Sequence, residues 1–489
     1  MASSLPRSTP AGQGVDPAAI LSFLDALDER SDIEMHSLMV VRHGHVVAEG
    51  WWAPYSAGRP QLLYSLSKSF TSTAAAFAQA EGLLDLDDTV ISHFPEFAAD
   101  ITDPRSRSMK IRHVASMASG HTRETLPEAL ARDRDEPVRG FLLTPPDRDP
   151  GTVFAYNQPC TYTLASVVQR NAGLSLTRYL RPRLFDPLGI GPVGWHTFPP
   201  GRQQGFSGLH ARTEDIAKLG LLYLQQGRWA GAQLIPREWV AEATSAQVAN
   251  AQQQSQPDWQ QGYGFQFWTS RHGYRGDGAF GQFCVILPGQ DTVIVTTAYT
   301  FEMQAMLDAM WTRLLPGLGV ASPAASPAQD KLSARLAGLS LPGRDGARAP
   351  RDWGPWTGGA FAVAASREAD AEGQPFALPT ATFVTSVEVA QRAGGWGIGL
   401  IEAGNALTFP VGTGSWTVCE PADRHGNVIP VAASGGWADD QTLRAEVIFL
   451  ETPHRIELTC SLPGRTAEVV WRHPPLRPSK LKHLHCPAE

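Results

Sequence analysis

The sequence predicts an α/β (α+β) domain, with an antiparallel sheet flanked by helices, followed by a small all-β domain. The chain has 489 residues, more than a single hydrophobic core usually organises. Near the N-terminus, a helical pattern, two strand-like runs and a second helical pattern follow one another. After a stretch of small residues and prolines at 319–329, short alternating runs rich in Gly, Trp, Val and Thr replace the helical patterns.

These patterns also predict the domain boundaries. We expect residues 1–15 to be disordered, a first domain at 16–318, a linker at 319–352, and an antiparallel β domain, a barrel or a sandwich, at 353–489. Composition does not decide whether the β domain covers an active-site mouth or mediates dimerisation.

Composition excludes several classes of function. The hydrophobic fraction of 43% and the charged fraction of 18% are those of a soluble globular protein. A net charge of -7 gives no basic surface for nucleic acid or anionic membrane. The N-terminus has no apolar signal-peptide core, which favours a cytoplasmic protein. Five scattered cysteines indicate neither a disulfide framework nor a zinc site.

The elements of the first domain follow in order. The segment 16–29 predicts a helix with Pro17 in its first turn, and 36–52 predicts two strands around a His-Gly turn. His43 and His45 flank that turn, but without a further cluster of ligands we expect no metal there. Later patterns predict helices at 111–121, 161–171, 175–185, 213–225 and 303–315, and extended segments at 151–156, 263–270, 282–287 and 292–299.

The segment 62–88 carries the first candidate chemistry. Apolar residues recur at helical spacing from Leu66 onward, and Gly82 is a plausible helix stop, so Ser65 is expected to begin a helix with a buried face. Lys68 lies three residues later, on the same face, within hydrogen-bond reach of the serine hydroxyl.

Such a pair supports nucleophilic catalysis if the lysine is neutral. A serine hydroxyl needs a base, and a lysine becomes one only when burial or nearby positive charge lowers its pKa. A solvated charge is the alternative interpretation. The chain contains a second Ser-x-x-Lys, at Ser479 and Lys482 in a basic tail, for which we favour that interpretation.

With these residues in view, the chain resembles the serine β-lactamase and penicillin-binding-protein superfamily, most of all class C β-lactamases and family VIII esterases. The segment from Tyr64 to Phe70, YSLSKSF, is similar to the family's Ser-x-x-Lys helix. The resemblance covers roughly 16–316, and IRHVASMASGH and HARTEDIAKLGLLYLQQG are similar to further family segments. It implies that Ser65 accepts the acyl group, that Lys68 is its base, and that the fold includes an all-helical subdomain.

The second family element is a Tyr-x-Asn loop after Pro-Gly-Thr. Here the segment 150–158 reads PGTVFAYNQ, which places Tyr156 on the family's tyrosine. The resemblance implies that its phenol relays protons together with Lys68. The third position is Gln158 rather than asparagine, and the adjacent Asn157 is the alternative source of the amide; both are candidate substrate-binding residues.

The third family element is a Lys-Thr-Gly or His-Thr-Gly triplet on the strand beside the nucleophile. The alignment places Gly276, Asp277 and Gly278 there, and the N–H groups of Ala279 and Ser65 would form the oxyanion hole. The basic residue is missing, which argues against β-lactams and peptide C-termini as substrates. Either His272 or Arg275 is a candidate replacement, and Asp277 is a candidate partner for a substrate amine.

We therefore expect a serine hydrolase that acts, without a cofactor or metal, on a small ester or amide. A peptidase or amidase acting on D-amino or ω-amino acid compounds is one alternative. A catalytically idle binding or scaffold protein is another. The sequence contains neither the Gly-x-Ser-x-Gly of α/β-hydrolases nor a His-Glu-x-x-His zinc motif. Oligomeric state and substrate identity stay open.

Overall fold

The computed structural model describes residues 4–320, 326–344, 346, 350, 352–363, 378–379 and 381–488. Two compact units form: Met1–Gly50 and Leu62–Gly338, with the last two residues, make the first, and Trp51–Gln61 and Leu339–Pro487 make the second. These boundaries differ from the sequence-based ones. Helix-forming residues beyond 318 belong to the first unit, and a short N-terminal segment belongs to the second.

The first unit combines helices with short and long strands. Its helices are α1 (Pro17–Asp28), α2 (Ser67–Ala80), α3 (Pro104–Ser108), α4 (Ile111–Ala115), α5 (Leu126–Arg132), α6 (Pro137–Leu142), α7 (Gln158–Ala172), α8 (Leu176–Leu180), α9 (Asp186–Leu188), α10 (Thr213–Leu224), α11 (Arg237–Ala243), α12 (Met303–Ala309) and α13 (Pro327–Ala337). Its strands are β1 (Glu34–Arg42), β2 (His45–Trp51), β3 (Gln61–Leu62), β4 (Gly194–Trp195), β5 (Leu209–Ala211), β6 (Arg228–Trp229), β7 (Ala232–Gln233), β8 (Trp268–Thr269), β9 (Tyr274–Gly278), β10 (Gln282–Leu287) and β11 (Thr292–Tyr299).

A six-stranded sheet organises this unit, in the order β2-β1-β11-β10-β9-β8. Strand β11 pairs antiparallel with β1 and β10, and β9 pairs antiparallel with β10 and β8. Helix α10 packs closely on the sheet because Gly220 has no side chain; a Cβ there would lie 2.6 Å from Val293 Cγ1. Helices α3 to α9 supply the helical part that the resemblance implies. The predicted antiparallel sheet flanked by helices is confirmed.

Helix α2 runs through the interior. Every residue from Ser67 to Ala78 is buried. Two of its threonines find partners: Thr71 Oγ1 donates to the Gly205 carbonyl at 2.8 Å, and Thr73 Oγ1 donates to that of Ser69 at 2.8 Å. Such partners offset the cost of burying hydroxyl groups. The sequence predicts that Ser65 begins this helix. In the structure, Ser65 instead lies in the 3₁₀ turn Tyr64–Leu66, directly before α2.

The N-terminal segment, expected to be disordered, is ordered in the structure from Ser4 onward. Arg7 forms a parallel bridge with Val46, and its guanidinium pairs with Glu49 and Glu214. The Leu5 N–H also donates to Glu214, at 2.7 Å. The sequence-based expectation missed these contacts because they join residues that are distant along the chain.

The second unit is a nearly closed barrel-like sheet, which confirms the predicted C-terminal β domain. Its elements among the described residues are α14 (Gly354–Thr357), β12 (Phe361–Val363), β13 (Val384–Arg392), β14 (Gly395–Glu402), β15 (Asn405–Val411), β16 (Thr417–Cys419), β17 (Val431–Asp439), β18 (Thr442–Phe449), β19 (Arg455–Ser461) and β20 (Thr466–His473). The nine strands run in the order β15-β14-β13-β12-β20-β19-β18-β17-β16. A parallel bridge joins Gly412, directly after the end strand β15, to Ser434 in β17, near the opposite end of the order.

Apolar side chains fill the second unit's interior. The strands contribute Phe361, Trp396 and Trp437 among others, and helix α14 contributes Trp356; these four are all less than 4% exposed. Of the linker expected at 319–352, 327–337 forms helix α13, and 321–325 lies outside the described residues. Among the described helices, none is long and apolar enough to cross a membrane.

Candidate active site

Ser65 lies in a turn with a strained entry. The preceding residue, Tyr64, has φ 49°, a left-handed conformation that a bulky residue rarely adopts. The ring of Tyr64 packs edge to face on that of Phe280, with 5.1 Å between centroids. Such strain is held by surrounding packing and is common at functional sites. Ser65 itself is half-buried.

The amine of Lys68 reaches the hydroxyl of Ser65. Nζ donates to Ser65 Oγ at 2.9 Å and to the Phe206 carbonyl at 2.8 Å. The side chain is 1% exposed, and burial lowers the pKa of Lys68 to about 7, against the opposing charges of Glu124 and Asp277. A substantial neutral fraction of Lys68 is therefore present near pH 7, and a neutral amine is able to accept a proton.

The carbonyl of Phe206 is a contact that sequence reasoning missed. It belongs to a loop whose neighbouring carbonyls are also bonded: Gly205 by Thr71, and Ser207 by Trp195 Nε1 at 2.8 Å. Gly205 has φ 69°, and a Cβ there would lie 2.3 Å from that of Ala165. The loop is therefore tightly constrained where it receives Lys68. The sequence of this loop contains no motif that predicts a hydrogen bond to Lys68.

Tyr156 lies beside both residues. Lys68 Nζ is 4.8 Å from its ring centroid. Burial, and after it the charge of Asp277, raises the pKa of Tyr156, and a hydrogen bond to Ser65 offsets only part of that rise. The phenol therefore keeps its proton over the physiological range. Its ring stacks on Trp268, with centroids 5.3 Å apart and planes at 21°. The structure thus brings the three predicted catalytic residues together.

The two amide candidates occupy different positions. Asn157 is completely buried, and its Oδ1 accepts from the N–H and hydroxyl of Thr125, at 2.9 and 3.0 Å. Its side-chain oxygen therefore anchors a loop. Gln158 begins α7 and is partly exposed; its backbone N–H donates to Glu124 Oε2 at 3.0 Å.

Glu124 is an acidic neighbour of the site that sequence reasoning missed. Its carboxylate accepts from the N–H groups of Leu126, at 2.8 Å, and Gln158. Among the charges acting on Lys68, that of Glu124 has the largest effect on the pKa. The residue lies in a loop rich in Arg, Asp and Pro, where acidic residues are common, so the sequence offered no signal.

Strand β9 borders the turn that carries Ser65. A Cβ on Gly278 would lie 2.1 Å from the Leu63 carbonyl oxygen, and one on Gly276 would lie 2.5 Å from Ser69 Oγ. Only glycine permits these approaches. Ala279 follows directly and is half-buried against the cluster of Tyr64 and its aromatic neighbours.

The proposed replacements for the missing cation are placed differently. Arg275 is fully buried and its Nε donates to Asp277 Oδ2 at 3.0 Å, so the structure pairs these two candidates with each other. His272 is exposed in the turn before β9, where its ring centroid lies 5.0 Å from that of Trp311. No contact of His272 with Ser65, Lys68 or Tyr156 is seen among the described residues.

Taken together, the site contains a nucleophile, a buried amine and a neutral phenol in contact with one another. This set can transfer an acyl group through a serine ester. No group of three His, Cys, Asp or Glu side chains is placed to hold a metal ion within the described ranges.

A family model described as beta-lactamase matches residues 22–315. A 6-aminohexanoate-dimer hydrolase of Paenarthrobacter ureafaciens is 27% identical over 312 residues, covering 59% of this chain and 79% of that protein.

Two further relatives match a smaller share of this chain. A beta-lactamase of Yersinia enterocolitica is 26% identical over 152 residues, 30% of this chain and 37% of that protein. A lovastatin esterase of Penicillium rubens is 28% identical over 176 residues, 32% of this chain and 42% of that protein. The chain thus matches less than half of each of these two relatives.

Proposed function

Since the chain belongs to the beta-lactamase family, we propose that it is a serine hydrolase acting through an acyl-enzyme on Ser65. The proteins similar to it include a 6-aminohexanoate-dimer hydrolase, a lovastatin esterase and a beta-lactamase. The observation that carries the proposal is the 2.9 Å contact between Lys68 Nζ and Ser65 Oγ, made by a lysine whose pKa is lowered by burial. A solvated lysine would have neither property.

Acylation follows from the roles of these groups. Neutral Lys68, with Tyr156, takes the proton of Ser65 as Oγ attacks the substrate carbonyl carbon. The negative charge that develops on the carbonyl oxygen is stabilised by the N–H groups of Ser65 and Ala279. When the tetrahedral intermediate collapses, the bond to the leaving group breaks, and the proton passes to that group. Water then attacks the ester on Ser65, releasing the acid and restoring the hydroxyl.

Small esters or amides are the substrates that we propose. The triplet position on β9 holds Gly276 in place of a lysine or histidine, which argues against β-lactams. The similarity to a lovastatin esterase supports an ester substrate.

Amides that carry a free amine are a second candidate class, and Glu124 is the observation that favours them. Its carboxylate lies at the N-terminus of α7 and acts electrostatically on Lys68. Asp277, the earlier candidate for this role, is paired with Arg275. The similarity to a 6-aminohexanoate-dimer hydrolase agrees with an amine-bearing substrate.

Intact-protein mass after incubation with a fluorophosphonate probe tests the central proposal. We expect one adduct on the wild type and none on Ser65→Ala. Ser479→Ala, which alters the second Ser-x-x-Lys, is the matched control and should keep the adduct. A wild type without an adduct would contradict the proposal and favour an idle binding protein.

A further inference from the structure

Arg275 and Asp277 form an ion pair beside the candidate nucleophile. They lie two residues apart on β9, and alternate residues of a strand share a face. Arg275 Nε donates to Asp277 Oδ2 at 3.0 Å; Arg275 is fully buried and Asp277 is 8% exposed. A buried guanidinium needs an anion nearby, and Asp277 provides a carboxylate from within the protein.

The pair is close to the residues proposed to act in catalysis. The glycines on both sides of Asp277 bring β9 against the turn and helix that carry Ser65 and Lys68. The charge of Asp277 acts on both Lys68 and Tyr156. A ligand group that replaced the Asp277 carboxylate would therefore lie next to the reacting groups.

We propose that Arg275 and Asp277 are an anion site which the protein fills with its own carboxylate, so that acyl groups bearing a carboxylate are rejected and uncharged ones are accepted. This inference rests on the proposed acyl-enzyme function, because it names the substrate class of that site. Asp277 is the residue that determines this specificity.

The hydrogen bonds of Arg275 show that the cation has capacity for a ligand. Nη1 donates to the Asp258 carbonyl at 2.8 Å and to the Ser270 hydroxyl. Nε is used by Asp277, while the buried Nη2 has no hydrogen-bond partner among the described residues. Nε and Nη2 share one edge of the planar guanidinium, the edge that binds a carboxylate through two parallel bonds. Removing Asp277 would free both donors together.

Charge explains the rejection of anions by the wild type. The carboxylates of Asp277 and Glu124 both act on Lys68, and Lys68 must be neutral to serve as base. The cation of Arg275 is already neutralised. A carboxylate on the acyl group would thus meet the negative charge of Glu124 with no free cation to bind it, at a site of low dielectric constant, which is strongly unfavourable.

Two esters of equal acyl-chain length test this specificity. We would measure kcat/KM for p-nitrophenyl butyrate and for mono-p-nitrophenyl succinate, which adds a terminal carboxylate. The wild type should prefer the butyrate at least about tenfold. In Asp277→Ala this preference should shrink by about tenfold, and acetate should inhibit hydrolysis of the succinate ester. The size-matched Asp277→Asn removes the charge without opening space, so its preference should shrink without inhibition by acetate.

Equal rates for the two esters in the wild type would overturn the proposal. So would an unchanged preference in both variants. If Asp277→Ala does not fold, the wild-type comparison and Asp277→Asn still decide the question.

A binding measurement separates this inference from the proposed acyl-enzyme. Arg275 lies 4.3 Å from the ring centroid of Trp259 and 5.8 Å from that of Trp268, so a ligand on it should alter tryptophan fluorescence. We expect a saturable change when sodium acetate is added to Asp277→Ala, and none with sodium chloride or in the wild type. This readout needs no turnover. If Ser65 proves unreactive, saturable acetate binding would still support the anion site, and its absence would refute it.

Discussion

Lys68 Nζ lies 2.9 Å from Ser65 Oγ, although the serine belongs to a 3₁₀ turn and the lysine to the α-helix that follows. The change from one helix type to the other takes place at Ser67, and both Leu66 and Ser67 have right-handed helical backbone angles. The turn leaves Ser65 half-buried while its partner is almost completely enclosed. A partly accessible hydroxyl beside a desolvated base is an arrangement suited to acyl transfer.

The first prediction concerns the identity of the base. Lys68→Arg should lower the rate of acylation by about 10²–10⁴-fold, because arginine cannot be deprotonated in the protein. Pre-steady-state release of p-nitrophenol would measure that rate, and circular dichroism would check the fold. Lys482→Arg, in the second Ser-x-x-Lys, is the control and should act like the wild type. If Lys68→Arg retains near-normal acylation, Lys68 is not the base.

The second prediction concerns pH. Because the pKa of Lys68 is lowered to about 7, and only its neutral form accepts a proton, kcat/KM should rise with pH and level off above about 7. At lower pH the amine is protonated and activity falls, about tenfold for each pH unit. A profile of kcat/KM against pH, measured with a neutral ester, checks this. An acidic limb centred near the ordinary lysine pKa would show that burial does not tune Lys68.

The local parts of the site were predictable from the sequence. The spacing of Ser65 and Lys68 fixes their proximity within one helical turn, and the Pro-Gly-Thr lead marked Tyr156. The sequence analysis named Arg275 as a replacement cation and Asp277 as a partner for a substrate amine. It did not predict that they pair with each other, although alternate residues of a strand share a face.

The non-local parts were not predictable. Glu124 approaches the site because its loop is fastened to α7, and Phe206 because its loop is fastened to α2. Neither loop has a periodic pattern, and both contacts join residues far apart in the chain. The assignment of Trp51–Gln61 to the second unit was not predictable either, because the rest of that unit begins at Leu339.

The third prediction concerns Glu124. Its negative charge raises the pKa of Lys68, so Glu124→Gln should move the acidic limb of kcat/KM to lower pH. If Glu124 also binds a substrate amine, the variant should lose about tenfold or more in kcat/KM for an ω-amino amide, relative to the matching uncharged amide. Glu128→Gln, on a partly exposed residue of α5, is the control. A shifted limb with no change in amide preference would limit Glu124 to tuning Lys68.

The fourth prediction concerns the approach of β9 to the nucleophile turn. In Gly278→Ala, the new Cβ would lie 2.1 Å from the Leu63 carbonyl oxygen and 3.1 Å from the Leu66 nitrogen. Backbone atoms cannot turn away as a flexible side chain can, so the strand and the turn must separate. Since a displacement of about 1 Å can cost about a hundredfold, we expect kcat/KM to fall by that order.

Gly289→Ala is the matched control for this variant. It lies in the same unit, beyond the end of β10, and a Cβ there would meet no atom within 4 Å. Its kcat/KM should equal that of the wild type. Because a displaced β9 misaligns Ala279 with Ser65, Gly278→Ala should mainly lower kcat and leave KM almost unchanged. A Gly278→Ala enzyme with normal kcat would mean that the spacing between β9 and the turn is not part of the catalytic geometry.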